Sequence, residues 1–391
     1  LTAILTRLLG RLPIGWLQLL HNKARLAAAV AGIAFANILV FVQLGIMFAL
    51  NTTVLLPYTL LDADIIISSA DASTLTDGSN VPRQRGLEAL SVAGVESALS
   101  LFIGNVDWTR DDGNTTNLQV LALDPSQGEF VIPEIRSDIA NLLLIDTVLM
   151  DRKTRGADKQ RLSRISPDNP LVFEARGRTL TAPGTISIGG GFSSDGYVLA
   201  SDQTFLRLFN NRTSGAPNHI LVKAAAGFDV DGIVGQLREL LPDRKVQVRR
   251  IMDAANADQR YQTTERPTGL IFGFGVVMGI IVGLVIVYQL LSTDVADHLR
   301  EYATFKAMGY SQSFFMGIVF EEAMILAVLG FVPGFIIASV LYLGLNTVTG
   351  LPIMMDAARP IAIFLGTIAS CSISGAIATR RLARADPAEL F

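Results

Sequence analysis

Glu301, Phe305 and Met308 fall at i, i+4 and i+7, so on a helix they form one stripe that sets a carboxylate beside two large apolar groups. That chemistry suits docking rather than bond-breaking. The apolar groups fill a cleft and the charge fixes the orientation. The stripe lies in "STDVADHLREYATFKAMGYSQSFF", where Asp294 or Asp297 marks the start of a short helix and Gly309 its end. Such a helix either rests on a membrane surface or couples the chain to a cleft in a partner. A force-transmitting contact needs a rigid element with an apolar anchor, and this segment offers both.

Residues for catalysis are scarce. The three histidines are His21, His219 and His298, and only His219 lies in the long polar stretch of the chain. A Ser-His-Asp arrangement would have to be built on His219 without a nucleophile-elbow motif, and a zinc site with two His ligands is impossible there. His219 reads as a surface or structural residue preceding a strand. No GxxxxGK[ST] occurs, so ATP is not bound through a Walker A loop. Carboxylates are plentiful, but no spacing pairs them. The expectation is no enzyme, with neither metal nor cofactor of its own. The one cysteine, Cys371, sits in an apolar run, so the polar stretch has no disulfide.

The elements that must position the stripe are apolar. Leu26–Leu50, Leu270–Leu291, Phe314–Leu345 and Ile361–Ala378 are candidate spans; about 20 residues suffice to cross a bilayer. The first run, at 25 residues, is too long for the core of a signal peptide and reads as a retained span. Mean hydropathy is +0.43 and charged residues are 17% of the chain, below the roughly 25% of soluble proteins. The expected division is an N-terminal cytoplasmic or interfacial helix at 1–25, spans at 26–50, 268–291, 314–345 and 361–378, and an insert at 51–267. The coupling segment is 292–313, a short loop 346–360, and the tail 379–391.

Nine Lys and Arg flank the spans on one side (Arg7, Arg11, Lys23, Arg25, Arg300, Lys306, Arg380, Arg381 and Arg384), against Arg359 alone on the other. This places both termini and the 292–313 segment in the cytoplasm, and the insert outside it. The insert carries 22 Lys and Arg against 27 Asp and Glu. A mildly acidic domain without a basic stripe is no nucleic-acid binder.

Within the insert, "LDADIIISS" reads as a strand and "VPRQRGLEALS" as a short helix. "GVESALSLFIGNVDW" and "TNLQVLALD" read as strands joined through the Asp-Gly turn "RDDGN". "NHILVKAAA", "DVDGIVGQLRELLP" and "RKVQVRR" form a strand–helix–strand unit, with Asp229 as N-cap and Pro242 ending the helix. The two ends of the insert thus form one membrane-proximal α/β subdomain, and about 129–211 an outer one. In that outer part "RKTRGADKQR" reads as a solvated charge run, and "TISIGGGFSSDGYVLAS" as a hairpin or bulge rather than a phosphate cradle.

Gly275, Gly279 and Gly283 make a GxxxGxxxG stripe on the second span, suited to close helix packing, either in a dimer or against a helix of the same subunit. Glu321-Glu322 are costly in a bilayer centre, at about 2.5–3.5 kcal/mol each. Ala323–Leu345 can span alone, which puts the pair at the cytoplasmic interface, where Glu322 braces the coupling helix. Pro333 after Gly330 is a candidate kink.

"REYATFKAMGYS" followed by "FEEAMILAVLGFVPG" resembles the FtsX/MacB-type permease module of ABC transporters. The matching residues are Glu301, Lys306, Ala307, Gly309 and Glu322-Ala323. "PIGWLQLLHNKARLAAAVAGIAFANILVF", "DADIIISS" and "VYQLLSTDVADHLREYATFKAMGY" extend the resemblance toward the DevC-type permeases of cyanobacteria, most specifically over the first 70 residues and 285–335. It implies an α-helical inner-membrane protein with four transmembrane helices plus a large extracytoplasmic α/β domain of porter-like and sabre-like subdomains. It further implies a homodimer driven by a separate ATPase subunit that holds ATP and Mg, with a periplasmic adaptor (membrane fusion) protein and an outer-membrane TolC-like tunnel. Glu301, Phe305, Lys306, Met308 and Gly309 would couple to the ATPase, and the cargo would be a glycolipid or other amphiphile. Rival readings are an FtsX-like regulator of an envelope hydrolase and an extracytoplasmic ligand receptor.

Overall fold

The computed structural model describes residues 13–241, 244–298, 304 and 308–384. The chain forms two compact units. One takes the residues up to Phe48, Leu270–Asn346 and those from Ile353 onward; the other takes Ala49–Gly269 and Thr347–Pro352.

The first unit is helical. Helix α1 (Ile14–His21) follows Pro13, and α2 (Lys23–Leu55) starts after a break at Asn22. Helices α9 (Pro267–Asp297), α10 (Gln312–Thr349) and α11 (Ala358–Arg384) complete it. Helices α2, α9, α10 and α11 are each long and apolar enough to cross a membrane. α10 runs unbroken through Pro333. The core joins Trp16 and Leu19 of α1 to Ile33, Leu291, Ile318, Leu326 and Cys371. Small residues set the spacing: a Cβ on Gly330 would lie 2.5 Å from Ile33, and one on Gly334 3.0 Å from the Ala34 carbonyl. Polar bonds cross the interior, among them Thr367 Oγ1 to Asn37 Oδ1 at 2.7 Å, Ser374 Oγ to the Leu284 carbonyl at 3.0 Å and the Tyr342 hydroxyl to the Phe41 carbonyl.

The second unit is an α/β domain inserted between the first two spans. Strand β1 (Ile65–Ser69) lies between β8 (His219–Ala224) and β9 (Val246–Arg250), antiparallel to both, and β8 pairs in turn with the first half of β2 (Val95–Thr109). Helices α3 (Gln84–Ala89) and α7 (Val230–Leu240) accompany this sheet. Alternate residues Ile65, Ile67, Ile220 and Val222 meet Ala89, Ile233, Val234 and Leu237. The Asp229 carboxylate caps α7 by accepting from the Asp231 and Gly232 amides. The helix ends at Leu240; Pro242 lies outside the described residues.

From Phe102 onward β2 changes partner. It pairs with β3 (Thr115–Leu123), and the order continues through β7 (Gly196–Ser201), β4 (Thr147–Asp151), β6 (Arg178–Ile186) and β5 (Leu171–Ala175), which returns to β2 at Trp108. Six strands therefore close a ring. Residues 102, 106 and 108 of β2, 118, 120 and 122 of β3 and 198 and 200 of β7 fill its inside, where helix α6 (Asp202–Leu208) adds Phe205. The intervening Leu101, Ile103, Leu121, Leu149 and Leu199 face a second core with Phe130, Ile135 and Leu142. Burial on both faces explains why these strands read as continuous apolar runs. Short helices α4 (Arg136–Ile139) and α5 (Lys159–Ser163) and helix α8 (Ile251–Thr264) complete the domain.

Three expectations need correction here. The outer part does not begin at 129, because it closes only by recruiting the second half of β2 and all of β3. The Gly-rich segment is not a hairpin: β4 lies between β6 and β7. Its loop is tied to the end of β4 by the buried Asp151 carboxylate, which accepts from the Ile188 amide at 3.1 Å and the Gly189 amide at 2.7 Å. His219 is the first residue of β8 rather than the one before it, and it is a buried structural residue, not a surface one.

His219 and Asp258 meet at one residue. The Leu75 carbonyl accepts from His219 Nε2 at 2.8 Å, which leaves Nδ1 to accept from the Ser68 hydroxyl at 2.8 Å. The Leu75 amide donates to Asp258 Oδ2 at 2.9 Å. Burial pulls the His219 imidazole down to about 4 and pushes the Asp258 carboxyl up to about 6. As pH falls from 6.5 toward 4, the unfolded chain binds a proton at His219 that the folded one refuses, so stability falls. Between about 6 and 4 the folded chain binds a proton at Asp258 that the unfolded one does not, so stability rises. The two effects oppose. Asp258→Asn keeps an acceptor for the Leu75 amide but removes the compensation. Relative to wild type it should lose roughly 2 kcal/mol of stability between pH 7 and pH 4.5, read by denaturant unfolding of the full chain. A pH-independent difference would overturn this assignment.

Candidate functional site at the end of the second span

α9 does not stop before Asp294. It continues without a Gly or Pro to Asp297, so Asp294 and Asp297 lie in its last turns rather than at the start of a new helix. Carboxylates near a helix C-terminus oppose the dipole. Arg25 of α2 offsets this: its guanidinium reaches Asp297 Oδ2 at 2.7 Å, Asp294 Oδ1 at 3.5 Å and the Leu290 carbonyl at 3.0 Å.

The Glu321–Glu322 pair packs beside this cluster. Glu322 is buried, faces Asp294, and presses its Cγ where a Cβ on Gly15 would stand 2.8 Å away. Glu321 Oε1 accepts from the Trp16 amide at 3.4 Å. That amide is in the first turn of α1, where helix N–H groups lack intrahelical partners and a carboxylate is favoured. The pair therefore holds α1 and the end of α9. In the sequence Arg25 stands out only as a positive flank, and no spacing connects Gly15, Trp16 or Asp294 to the glutamates. Pro13, a helix-start signal before Gly15 and Trp16, was the visible hint.

Of the proposed coupling residues, Glu301, Phe305, Lys306 and the neighbouring Ala307 lie outside the described residues, as does any brace from Glu322 to them. Met308 and Gly309 form a turn. The Met308 amide donates to the Thr304 carbonyl at 3.1 Å, and Gly309 has φ +95° with open space where a Cβ would be. Backbone conformation, not room, makes glycine necessary there. Met308 is 61% exposed and Tyr310 46%, so this turn offers large apolar side chains outward.

The glycine stripe packs within the chain. A Cβ on Gly275 would lie 2.5 Å from Gln43, one on Gly279 2.9 Å from Val40, and one on Gly283 3.2 Å from Ala36. All three neighbours belong to α2, so the stripe seats the first span against the second. Among the described residues no group of three or more His, Cys, Asp or Glu could hold a metal ion.

Residues 273–387 match the family model described as FtsX-like permease C-terminal. A 139-residue stretch, 36% of this chain, is 23% identical to the macrolide export ATP-binding/permease protein MacB of Nitrobacter winogradskyi, and spans 22% of that protein's length. Similar solved structures include the periplasmic region of MacB from Actinobacillus actinomycetemcomitans, at 10% identity and TM-score 0.33, covering 51% of this chain and 94% of that one. The extracellular domain of the noncanonic ABC-type transporter YknZ from Gram-positive bacteria has 10% identity and TM-score 0.34, covering 48% and 98%.

Gly279→Leu should part α2 from α9 and lower the melting temperature of the purified chain by several degrees. Gly273→Leu, on the same helix with nothing within 4 Å of its Cβ position, should leave it unchanged. Equal stability of the two variants would contradict the packing role of the stripe.

Proposed function

We propose that this chain is the permease subunit of a tripartite ABC exporter in a bacterial inner membrane, with both termini in the cytoplasm. The observation that carries the reading is the match of residues 273–387 to the FtsX-like permease C-terminal model, which covers α10, most of α9 and α11, and the turn holding Met308 and Gly309. A separate ATPase would grip that turn. The exposed Met308 and Tyr310, on either side of the positive-φ Gly309, support a docking element there. ATP and Mg would reside in the ATPase. The close seating of α2 against α9 supports a stiff relay, since packed helices move together.

In this reading two copies of the chain work together, and the inserted domain faces the periplasm. It passes closure of the ATPase to a periplasmic adaptor and an outer-membrane tunnel. The cargo is an amphiphile, a glycolipid by the resemblance of the first 70 residues and 285–335 to DevC-type permeases, taken up outside the cytoplasm. The spans transmit force and do not form the channel.

The test is co-purification with candidate ABC ATPase subunits, followed by ATP turnover in lipid. Wild type should co-elute and alter turnover. Phe305→Ala and Gly309→Pro should insert normally but reduce coupling at least tenfold. Wild-type coupling in both variants would remove the turn from the interface, and no association with any ATPase would favour a receptor instead.

A further inference from the structure

The inserted domain holds a half-open cavity of about 180 Å³ that neither the turn nor the glycine stripe lines. It is lined by Thr53, Gln119, Phe192, Tyr197, Asp258 and Gln262, among others. Its lining includes Leu50, Val54 and Thr268, which lie where the chain leaves the first candidate span and enters the second. Besides Thr53, whose hydroxyl donates to the Leu50 carbonyl, three of its polar side chains are more than nine-tenths buried: Gln119 at 1% exposure, Tyr197 at 0% and Asp258 at 4%.

These groups are under-bonded. Neither the Gln119 amide nitrogen nor its oxygen has a hydrogen-bond partner among the described residues, and Asp258 Oδ1 has none of standard geometry. The Tyr197 hydroxyl lies near the Ser194 side chain but makes no hydrogen bond of standard geometry among the described residues. Gln119 and Tyr197 are register partners on adjacent parallel strands, so their side chains stand side by side on one face of the ring. A buried amide left unbonded costs about 1–3 kcal/mol. The same position could hold leucine in the surrounding core without that cost. A polar side chain there calls for a hydrogen-bonding partner, and a ligand hydroxyl can supply it.

The lining narrows the ligand. The Asp258 carboxylate, which Tyr58 and Gln262 approach, disfavours an anion. The nearest cation, Arg266, already pairs with Asp77 at 3.3 Å and lies 5.8 Å over the Tyr261 ring, so it is not held in reserve for a phosphate. The donors and acceptors that remain are amide, hydroxyl and carboxyl groups, which together satisfy neighbouring hydroxyls. The volume exceeds the about 150 Å³ of a cavity known to hold benzene, and Phe192 supplies an apolar wall.

We propose that this cavity binds an uncharged, hydroxyl-rich six-membered ring, with Gln119, Tyr197 and Asp258 as its hydrogen-bonding residues. The site rests on its own geometry; that the ring is the headgroup of an exported amphiphile rests on the reading above.

The test uses the full chain in nanodiscs of phosphatidylethanolamine and phosphatidylglycerol, which carry no sugar. Binding of octyl-β-glucoside, methyl-β-glucoside and octylphosphocholine is measured by titration calorimetry below their micelle concentrations. Octyl-β-glucoside should bind saturably, and Gln119→Leu should weaken it at least tenfold while leaving the melting temperature equal or higher. Tyr197→Phe, which removes only a hydroxyl, should weaken it several-fold. Methyl-β-glucoside binding as tightly would assign the site to a free sugar, and binding of the octyl form alone would assign it to a headgroup. The proposal falls if no glucoside binds, if Gln119→Leu binds as wild type does, or if octylphosphocholine binds equally well. ATPase association, measured on the same preparation, separates the two readings: a chain that couples to its ATPase but ignores glucosides overturns this site alone.

Discussion

The backbone ladder of β2 is the constraint on which the inserted domain depends. Its 15 residues extend about 50 Å. The first half bonds to β8 and the second to β3, with β5 joining at Trp108. The strand leaves no joint between the α/β sheet and the closed ring, because a hinge at residues 101–102 would have to break ladder bonds on both sides. The alternation of its side chains then assigns the cores: Phe102, Val106 and Trp108 go inside the ring, while Leu99, Leu101 and Ile103 go to the opposite core. A ring closed on itself also removes the free edges that would otherwise invite pairing with other chains.

In the helical unit the corresponding constraint is the burial of charge. Glu321 and Glu322 are tolerable because a short helix brings its free N–H groups to one of them and because Gly15 lets that helix approach the other. Arg25 balances the aspartates at the end of α9 in the same region. The polar contacts thus fix which faces of four apolar helices meet, a choice that hydrophobicity alone leaves open in lipid.

Much of this was legible in the sequence. The four apolar runs, the strand pattern of "LDADIIISS" and the Asp229 cap each have a local cause, and local causes can be read from spacing. The ring was not legible, since its closure rests on pairings such as Leu118 with Gly196 and Leu149 with Gly184, far apart in sequence. Burial on both faces also erased the alternation that would have marked inside from outside. The end of α9 was misread for a different reason. Aspartates suggest a helix start, but Arg25, about 270 residues away, neutralises them at a helix end. The cavity residues gave no signal at all: Gln119 sits in an apolar strand as an ordinary polar interruption.

The pairing of β1 with β9 has a consequence for how so large an insertion is carried. The chain enters the domain through one of these strands and leaves from the other, and they are bonded neighbours over Ile65–Ser69 and Val246–Arg250. A slack connection of this length would burden the host helices with roughly 2 kcal/mol more closure entropy than a short loop. With its two ends fastened together, the domain presents itself to the rest of the chain as if it were a hairpin. Whatever lies beyond that clasp can lengthen, shorten or be exchanged over evolutionary time without the helices registering the change.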